Sequence, residues 1–433
     1  MRAALPRRIL VTRALHARPF ALLWVGQTVS SLGDGAFLTA LAWQVLVLTG
    51  SGTAMGLVLI ATTAPQVAFV LLGGVAADRL PRRLVLLWAD AGRGVVVLLI
   101  AGLGALHLLQ FWHLVALGFA FGVADGFFLP AYQAIAPQLV DTDMLPSANA
   151  LTGLGRQMGQ VLGPLLGAGL VALARPAGAF AFDGATFLIS ALCLLAMRPP
   201  ASPPVRAPRD GEPRAAGTGH AASPARGGMV ALAADVREGL GYVRGSSWLW
   251  MTITVAALAN MGLAARAVAL PKLIHDAYGA GVWLLGVLGM ATAGGAIAAT
   301  LLIGQMRHLR RRGLVAYLGI LIAGITLIVY GLPLPRGDAP LAVGVASVFL
   351  GGGLGGFGII WVTVLQELVP PATLGRVSSI DILGSLALLP VGYALAGVLT
   401  DHVGPRWVFI AGGSLNVILT GLALCVREIR DLE

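Results

Sequence analysis

Charge is scarce in this chain of 433 residues. Asp, Glu, Lys and Arg make up 11% of it, against roughly 25% in a soluble domain. Lysine is nearly absent. Lys272 stands alone beside 28 arginines, a bias that reads as genomic composition rather than chemistry. Cysteine is also rare: Cys193 and Cys425 both fall inside apolar runs, which excludes a disulfide framework and a thiolate metal pair. There is no G-x-S-x-G, no H-E-x-x-H, no C-x-x-C and no Walker loop, and the single lysine follows Ala-Leu-Pro. The chain is therefore not expected to be an enzyme, and neither a metal nor a cofactor is expected. Without a nucleotide site, any work it does must draw on an ion or substrate gradient.

Apolar residues fill the space that charge leaves. They are 57% of the chain, and the mean hydropathy is +0.86. Such a chain cannot cover its surface in water, so the lipid bilayer is its expected solvent. Transmembrane β-strands are ~10 residues of alternating polarity, whereas the runs here are long and unbroken. A spanning helix needs ~20 apolar residues. Twelve such spans are expected at about 20–48, 53–77, 84–106, 111–135, 147–173, 178–197, 248–270, 282–305, 313–332, 340–365, 376–400 and 405–426. The Arg-rich start leads into a run too long for a signal-peptide core, so the first span is read as uncleaved. Residues 198–247, rich in Pro, Ala, Gly and Arg, cannot bury a core and are read as a mostly disordered linker. Within it, 229–244 are expected to form an amphipathic helix on the membrane surface. The expected organisation is an all-α membrane protein: a six-helix bundle over 1–197, the linker, and a second bundle over 248–433. With the start of the chain inside, 22 Lys and Arg lie on cytoplasmic segments, four lie outside (Arg175, Lys272, Arg336, Arg406), and three lie within spans. That bias places both termini and the linker in the cytoplasm. The net charge of +10 is thus spread between spans rather than on one soluble face, and no nucleic-acid partner is expected.

The halves repeat. At an offset of 229, Gly122 aligns with Gly351, Gly126 with Gly355, Gly155 with Gly384 and Gly163 with Gly392. At 230, Gly74 aligns with Gly304, Arg82 with Arg312, and Leu84-Val85 with Leu314-Val315. A parallel repeat of six spans gives two bundles able to rock around a site near the bilayer midplane.

Two motifs carry mechanism. The first is "GGVAADRLPRRLVLL", which places Gly74, Asp78, Arg79, Arg82 and Arg83 on the loop after span two. It resembles the loop signature of the major facilitator superfamily, Gly-x-Leu-Ala-Asp-Arg-x-Gly-Arg-Arg/Lys, with Ala76 and Pro81 as departures. The resemblance implies an inner gate in which Asp78 meets the positive N-terminal end of span eleven, where Arg376 stands. Arg82 and Arg83 can pair with carboxylates or span-end carbonyls. The second-half copy puts His308 where the Asp would be and keeps Gly304, Arg310 and Arg312. The second motif, in span five, comprises Gly155, Gly159, Gly163-Pro164 and Gly167. It resembles the antiporter signature Gly-x-x-x-Gly-Pro-x-x-Gly-Gly, with Ala168 last. Small residues four apart let helices approach closely, and Pro164 permits a bend. Together with "GQTVSSLGDGAF", "GFFLPAYQAIAPQLV" and "AFDGATFLISAL", these motifs resemble the drug:proton antiporter branch that includes macrolide exporters and the enterobactin exporter.

Ionisable groups inside lipid are costly and are functional candidates. At 1.5 Å per residue from the inner helix end, Asp34 and Asp183 lie ~21 Å deep, Asp125 ~15 Å, Arg93 and Arg156 ~14 Å, and Asp90 ~9 Å. Asp125 and Arg156 are level on consecutive spans and can pair. Asp90 and Arg93, three apart on one helix, can pair locally as part of the inner gate. Asp34 continues a polar stripe through Gln27, Ser30 and Ser31 with no Arg or Lys at its depth, so it is the first candidate to carry a proton. Asp183 is a weaker one, because span six packs outside the cavity in the resembled fold. In that fold spans one, four and ten line the cavity. This makes Phe37, Tyr132, Phe357 and Trp361, with Gln27 and Ser31, candidates for the substrate wall. The reading is a monomeric bacterial inner-membrane or plasma-membrane exporter that trades protons for a hydrophobic or amphipathic small molecule. The alternatives are a siderophore or natural-product exporter, a lysophospholipid translocator, or a sensor or scaffold on the same fold.

Overall fold

The computed structural model describes residues 10–197, 229–306 and 311–430. Among them there are helices and connecting turns but no strand. The long helices are α1 (Arg18–Thr49), α2 (Gly52–Arg79), α3 (Arg82–Ala105), α4 (Phe111–Leu139) and α5 (Leu145–Ala196). A short helix α6 (Met229–Gly245) follows, matching the amphipathic segment expected in the linker. Then come α7 (Ser247–Lys272), α8 (Val282–Gly304), α9 (Arg312–Gly331), α10 (Ala339–Leu368), α11 (Pro371–Leu386), α12 (Leu389–His402), α13 (Pro405–Leu424) and α14 (Arg427–Arg430). The rest of the linker, His308 and Arg310 lie outside the described residues.

Local sequence sets the breaks. Gly50 ends α1 in the left-handed region at φ 60°, a conformation glycine adopts without steric cost. Ser51 then starts α2, its side chain accepting from the Ala54 amide. Helix α5 is one continuous run in which Ala174 and Arg175 leave helical geometry just before Pro176. It therefore crosses twice and supplies spans five and six. Span eleven is also broken, between α11 and α12, with Pro390 in the first turn of α12. Counted this way, the helices make the twelve crossings that hydropathy indicates.

In the first half α1 lies along α5, α2 packs on α4, and α3 packs on α4 and α5. In the second, α8 packs on α10, α9 on α10 and α13, and α7 on α12 and α13. The repeat is visible in atomic detail. A Cβ on Gly122 would lie 2.0 Å from the Thr62 carbonyl oxygen, and one on Gly351 would lie 1.7 Å from that of Thr292. Each glycine lets the fourth helix of its half touch the backbone of the second at the same point.

The two bundles meet at one end. Gly286 and Gly289 on α8 lie against Pro164, Leu165 and Ala168 on α5, and Gly52 and Gly56 on α2 lie against Tyr393, Gly397 and Thr400 on α12. This is the end away from Asp78. Asp78 itself is exposed and makes no hydrogen bond or ion pair among the described residues.

Candidate functional site

Arg93 on α3 is the centre of the charged network inside the first bundle. Its side chain is 3% exposed, and its guanidinium is shared between Asp90, one turn earlier on α3, and Asp125 on α4. Nη1 reaches Asp125 Oδ1 at 2.8 Å. The planar group also lies over the Phe128 ring at 4.0 Å and the Phe187 ring at 4.8 Å. The remaining oxygens are satisfied by neutral donors. Gln66 Nε2 donates to Asp125 Oδ2 at 2.6 Å. Gln27 Nε2 donates to Asp90 Oδ2 at 3.0 Å, and Ser190 Oγ donates to the same oxygen at 2.6 Å. Charges taken out of water are tolerated only when paired and fully hydrogen-bonded, and this network meets most of that demand. Arg93 Nε remains without a partner.

Asp34 stands beside this network without joining it. Among the described residues it makes no hydrogen bond or ion pair. It lines two cavities at once. One, of about 290 Å³, includes Phe37, Gln66, Arg93, Asp125 and, from the second half, Tyr393. The other, of about 130 Å³, includes Gln27, Ser31, Tyr132 and Arg156. Two sequence expectations are corrected here. Asp34 does not lack a cation at its level, since Arg93 and Arg156 each share a cavity wall with it. Asp125 pairs with Arg93 rather than Arg156. The second has a plain cause: α4 and α5 are consecutive in sequence but scarcely touch, because α4 packs on α2 and α3. Depth along separate helices does not say which helices are neighbours.

The glycines of the span-five motif build this arrangement. Cβ atoms added to Gly155, Gly159, Gly163 and Gly167 would meet Thr28 Oγ1, the Ser31 carbonyl oxygen, Gly35 Cα and the Ala36 carbonyl oxygen at 2.4–2.7 Å. The stripe presses α5 directly onto the stretch of α1 that carries Asp34. Behind it, Gly33 faces Asp183, whose Oδ1 would lie 2.3 Å from an added Cβ. Asp183 is fully buried and lines neither of these cavities. Thr186 Oγ1 lies 3.2 Å from its Oδ1, and its Oδ2 has no partner.

The remaining candidates are more dispersed. Phe37 is buried and stacks on Phe121 at 5.3 Å. Tyr132 stacks on Phe128 at the same separation. Phe357 and Trp361 stack on each other and pack with Tyr317 and Trp248, and Trp361 Nε1 donates to Asp381 at 3.0 Å. They form an aromatic cluster in the second bundle, away from both cavities that Asp34 lines. Asp90 and Arg93 join the central network rather than the loop charges. Arg82 Nη1 donates to the Ala134 carbonyl at 2.6 Å, and Arg83 donates to those of Leu194 and Leu195 at 2.5 and 2.7 Å. Both thus hold helix ends of their own half, where unsatisfied carbonyls collect. Arg79 is exposed. Arg376 donates to Glu238 on α6 at 2.7 Å. Sequence reading missed Gln66 and Ser190. Each is one of a few polar residues in a largely apolar span, the one signal available for them.

A family model for the Major Facilitator Superfamily matches residues 23–388. The chain belongs to this superfamily. It is 28% identical over 421 residues to the enterobactin exporter EntS of Escherichia coli O1:K1 / APEC, covering 95% of this chain and 92% of that one. It is 22% identical over 419 residues to macrolide efflux protein A of Streptococcus pyogenes, covering 96% and 97%. The fold is similar to that of a POT family transporter crystallised with a thioalcohol-conjugated peptide, at a TM-score of 0.68 and 14% identity over 95% of this chain and 96% of that one. It is also similar to a bacterial homologue of the lysosomal transporter Spinster in an inward-facing, unoccupied conformation, at a TM-score of 0.63 and 16% identity over 99% and 97%. The chain is a multi-pass membrane transporter with efflux proteins among its relatives.

Proposed function

We propose that this major facilitator protein is a proton-coupled exporter of hydrophobic or amphipathic small molecules in a bacterial cytoplasmic membrane. On this reading both termini and the linker face the cytoplasm, and the end at which the bundles meet faces away from it. The observation that carries the reading is Asp34: an unpartnered carboxylate between two cavities, beside a guanidinium already committed to Asp90 and Asp125. A carboxylate in low dielectric with no dedicated cation binds a proton readily. A cationic or polar substrate group arriving in the cavity favours the charged form and expels that proton. One carboxylate thereby couples the two fluxes by competition. Relatives named for macrolide efflux and for enterobactin export support a natural-product substrate as the second reading.

The test is substrate flux in proteoliposomes, with and without an imposed pH gradient. Asp34→Asn should abolish pH-driven flux and leave exchange of substrate down its own gradient. Full pH-driven flux in the variant would make Asp34 structural and move attention to Asp125.

A further inference from the structure

The end at which the bundles meet holds a contact that neither motif describes. Asp401, in the last turn of α12, reaches across to the start of α2. Its Oδ1 accepts from the Gly52 amide at 2.7 Å, and its Oδ2 accepts from the Thr53 amide at 2.9 Å and from Ser51 Oγ at 2.6 Å. The first amides of a helix have no partner within it, and the positive end of its dipole favours an anion. A carboxylate from the second bundle here satisfies the first turn of a helix in the first bundle.

Two further features reinforce it. Lys272, the only lysine in the chain, ends α7 and donates to the Gly50 carbonyl, with its ammonium 3.8 Å from Asp401 Oδ1. It therefore joins the left-handed end of α1 to the same carboxylate. The helices also touch at backbone distance. An added Cβ would lie 2.6 Å from Thr400 Cβ if placed on Gly52, 2.5 Å from the Tyr393 carbonyl oxygen if placed on Gly56, and 2.8 Å from the Gly52 carbonyl oxygen if placed on Gly397.

We propose that Asp401 is the latch that keeps this end of the transporter shut, with Lys272 as its electrostatic support. The latch works by capping α2 from the opposite bundle, so it exists only while the bundles are in contact. Opening this end breaks all three hydrogen bonds to the carboxylate together. The same helix carries Asp78 at its far end, exposed while the Asp401 end is closed. Among the described residues, α2 is thus bonded to the second bundle at its Gly52 end, while Asp78 at its other end makes no ion pair. This inference rests on the transport reading only for its purpose; the contact and its test need no substrate.

The test uses spin labels on Leu108→Cys, in the turn after α3, and Leu332→Cys, after α9, with Cys193 and Cys425 replaced by alanine. Both labelled positions are exposed and lie at the Asp401 end of different bundles. Electron–electron distances are measured without substrate. In Asp401→Asn the ratio of short to long distances should fall roughly tenfold, the scale of losing a charged helix cap. Lys272→Met should move the ratio the same way by less, and Asp401→Glu should recover part of it. An unchanged distance distribution in Asp401→Asn overturns the latch. If that variant fails to insert, Ser51→Ala removes the 2.6 Å bond together with the cap on the Ala54 amide, and an unchanged distribution there overturns it equally. Because no flux is measured, a failed latch and a failed export assignment give separate results.

Discussion

Removing Arg93 should damage this protein more than removing either carboxylate it serves. Its guanidinium is 3% exposed and compensates Asp90, which is 0% exposed, and Asp125, whose side chain is 22% exposed. Arg93→Leu leaves both carboxylates in place, and Asp90 has no access to water. Taking one partner from a buried pair costs about 3–5 kcal/mol. Asp125 retains some solvent, so the lower bound applies. For a bundle of this size, about 3 kcal/mol corresponds to a fall in Tm of about 6–12 °C. Asp90→Asn should cost much less. The amide keeps its contacts with Gln27 and Ser190, and Arg93 keeps Asp125. The decisive comparison adds Asp90→Asn and Asp125→Asn to Arg93→Leu. Neutralising the stranded carboxylates should recover at least half of the lost Tm, because the penalty lies in uncompensated charge rather than in lost packing. Thermal unfolding of detergent-solubilised protein, followed by size-exclusion chromatography, measures all three variants against the parent. A single Arg93→Leu within 2 °C of the parent, or a triple variant no more stable than the single, would refute the charge argument.

What the sequence made legible follows physical range. Spans were readable because lipid demands a long apolar run within one segment, and the breaks at Gly50 and Pro176 were readable because glycine and proline act on their own backbone. The glycine stripe from Gly155 to Gly167 announced a close helix contact, but its partner, the Ser31–Ala36 stretch of α1, could only be seen in three dimensions. The same limit misplaced Asp125. Level depth on consecutive spans suggested Arg156, while the bundle packs α3 on α4 and supplies Arg93. Asp401 was less legible still. At the end of a span, before Val403-Gly404-Pro405, it reads as an ordinary interfacial residue. Nothing local shows that the first turn of α2, some 350 positions away, is its partner. Contacts between the halves depend on the arrangement of both, so single-segment patterns cannot encode them visibly.

The other predictions concern packing and gating. Gly163→Val should lower Tm by an amount corresponding to about 1–3 kcal/mol of overpacking, since its Cβ would lie 2.7 Å from Gly35 Cα; Gly153→Ala, with nothing within 4 Å, should leave Tm unchanged. Arg83→Gln should cost about 1 kcal/mol by freeing the Leu194 and Leu195 carbonyls, read by the same unfolding assay; no change would mean that water replaces the guanidinium there. The last prediction concerns Asp78. With the Asp401 end closed, it is exposed, and Arg376 at the start of α11 is engaged with Glu238 of α6. When the opposite end opens, the bundles must close at Asp78, which brings a carboxylate toward the positive N-terminal end of α11. Asp78 and Glu238 then compete for the same cationic region, so the linker helix resists closure. Glu238→Gln should therefore favour closure at the Asp78 end, and Asp78→Asn should oppose it while sparing membrane insertion. Spin-label distances across that end would show both shifts with opposite signs. A structure open at the Asp401 end in which Asp78 points to solvent would rule this latch out.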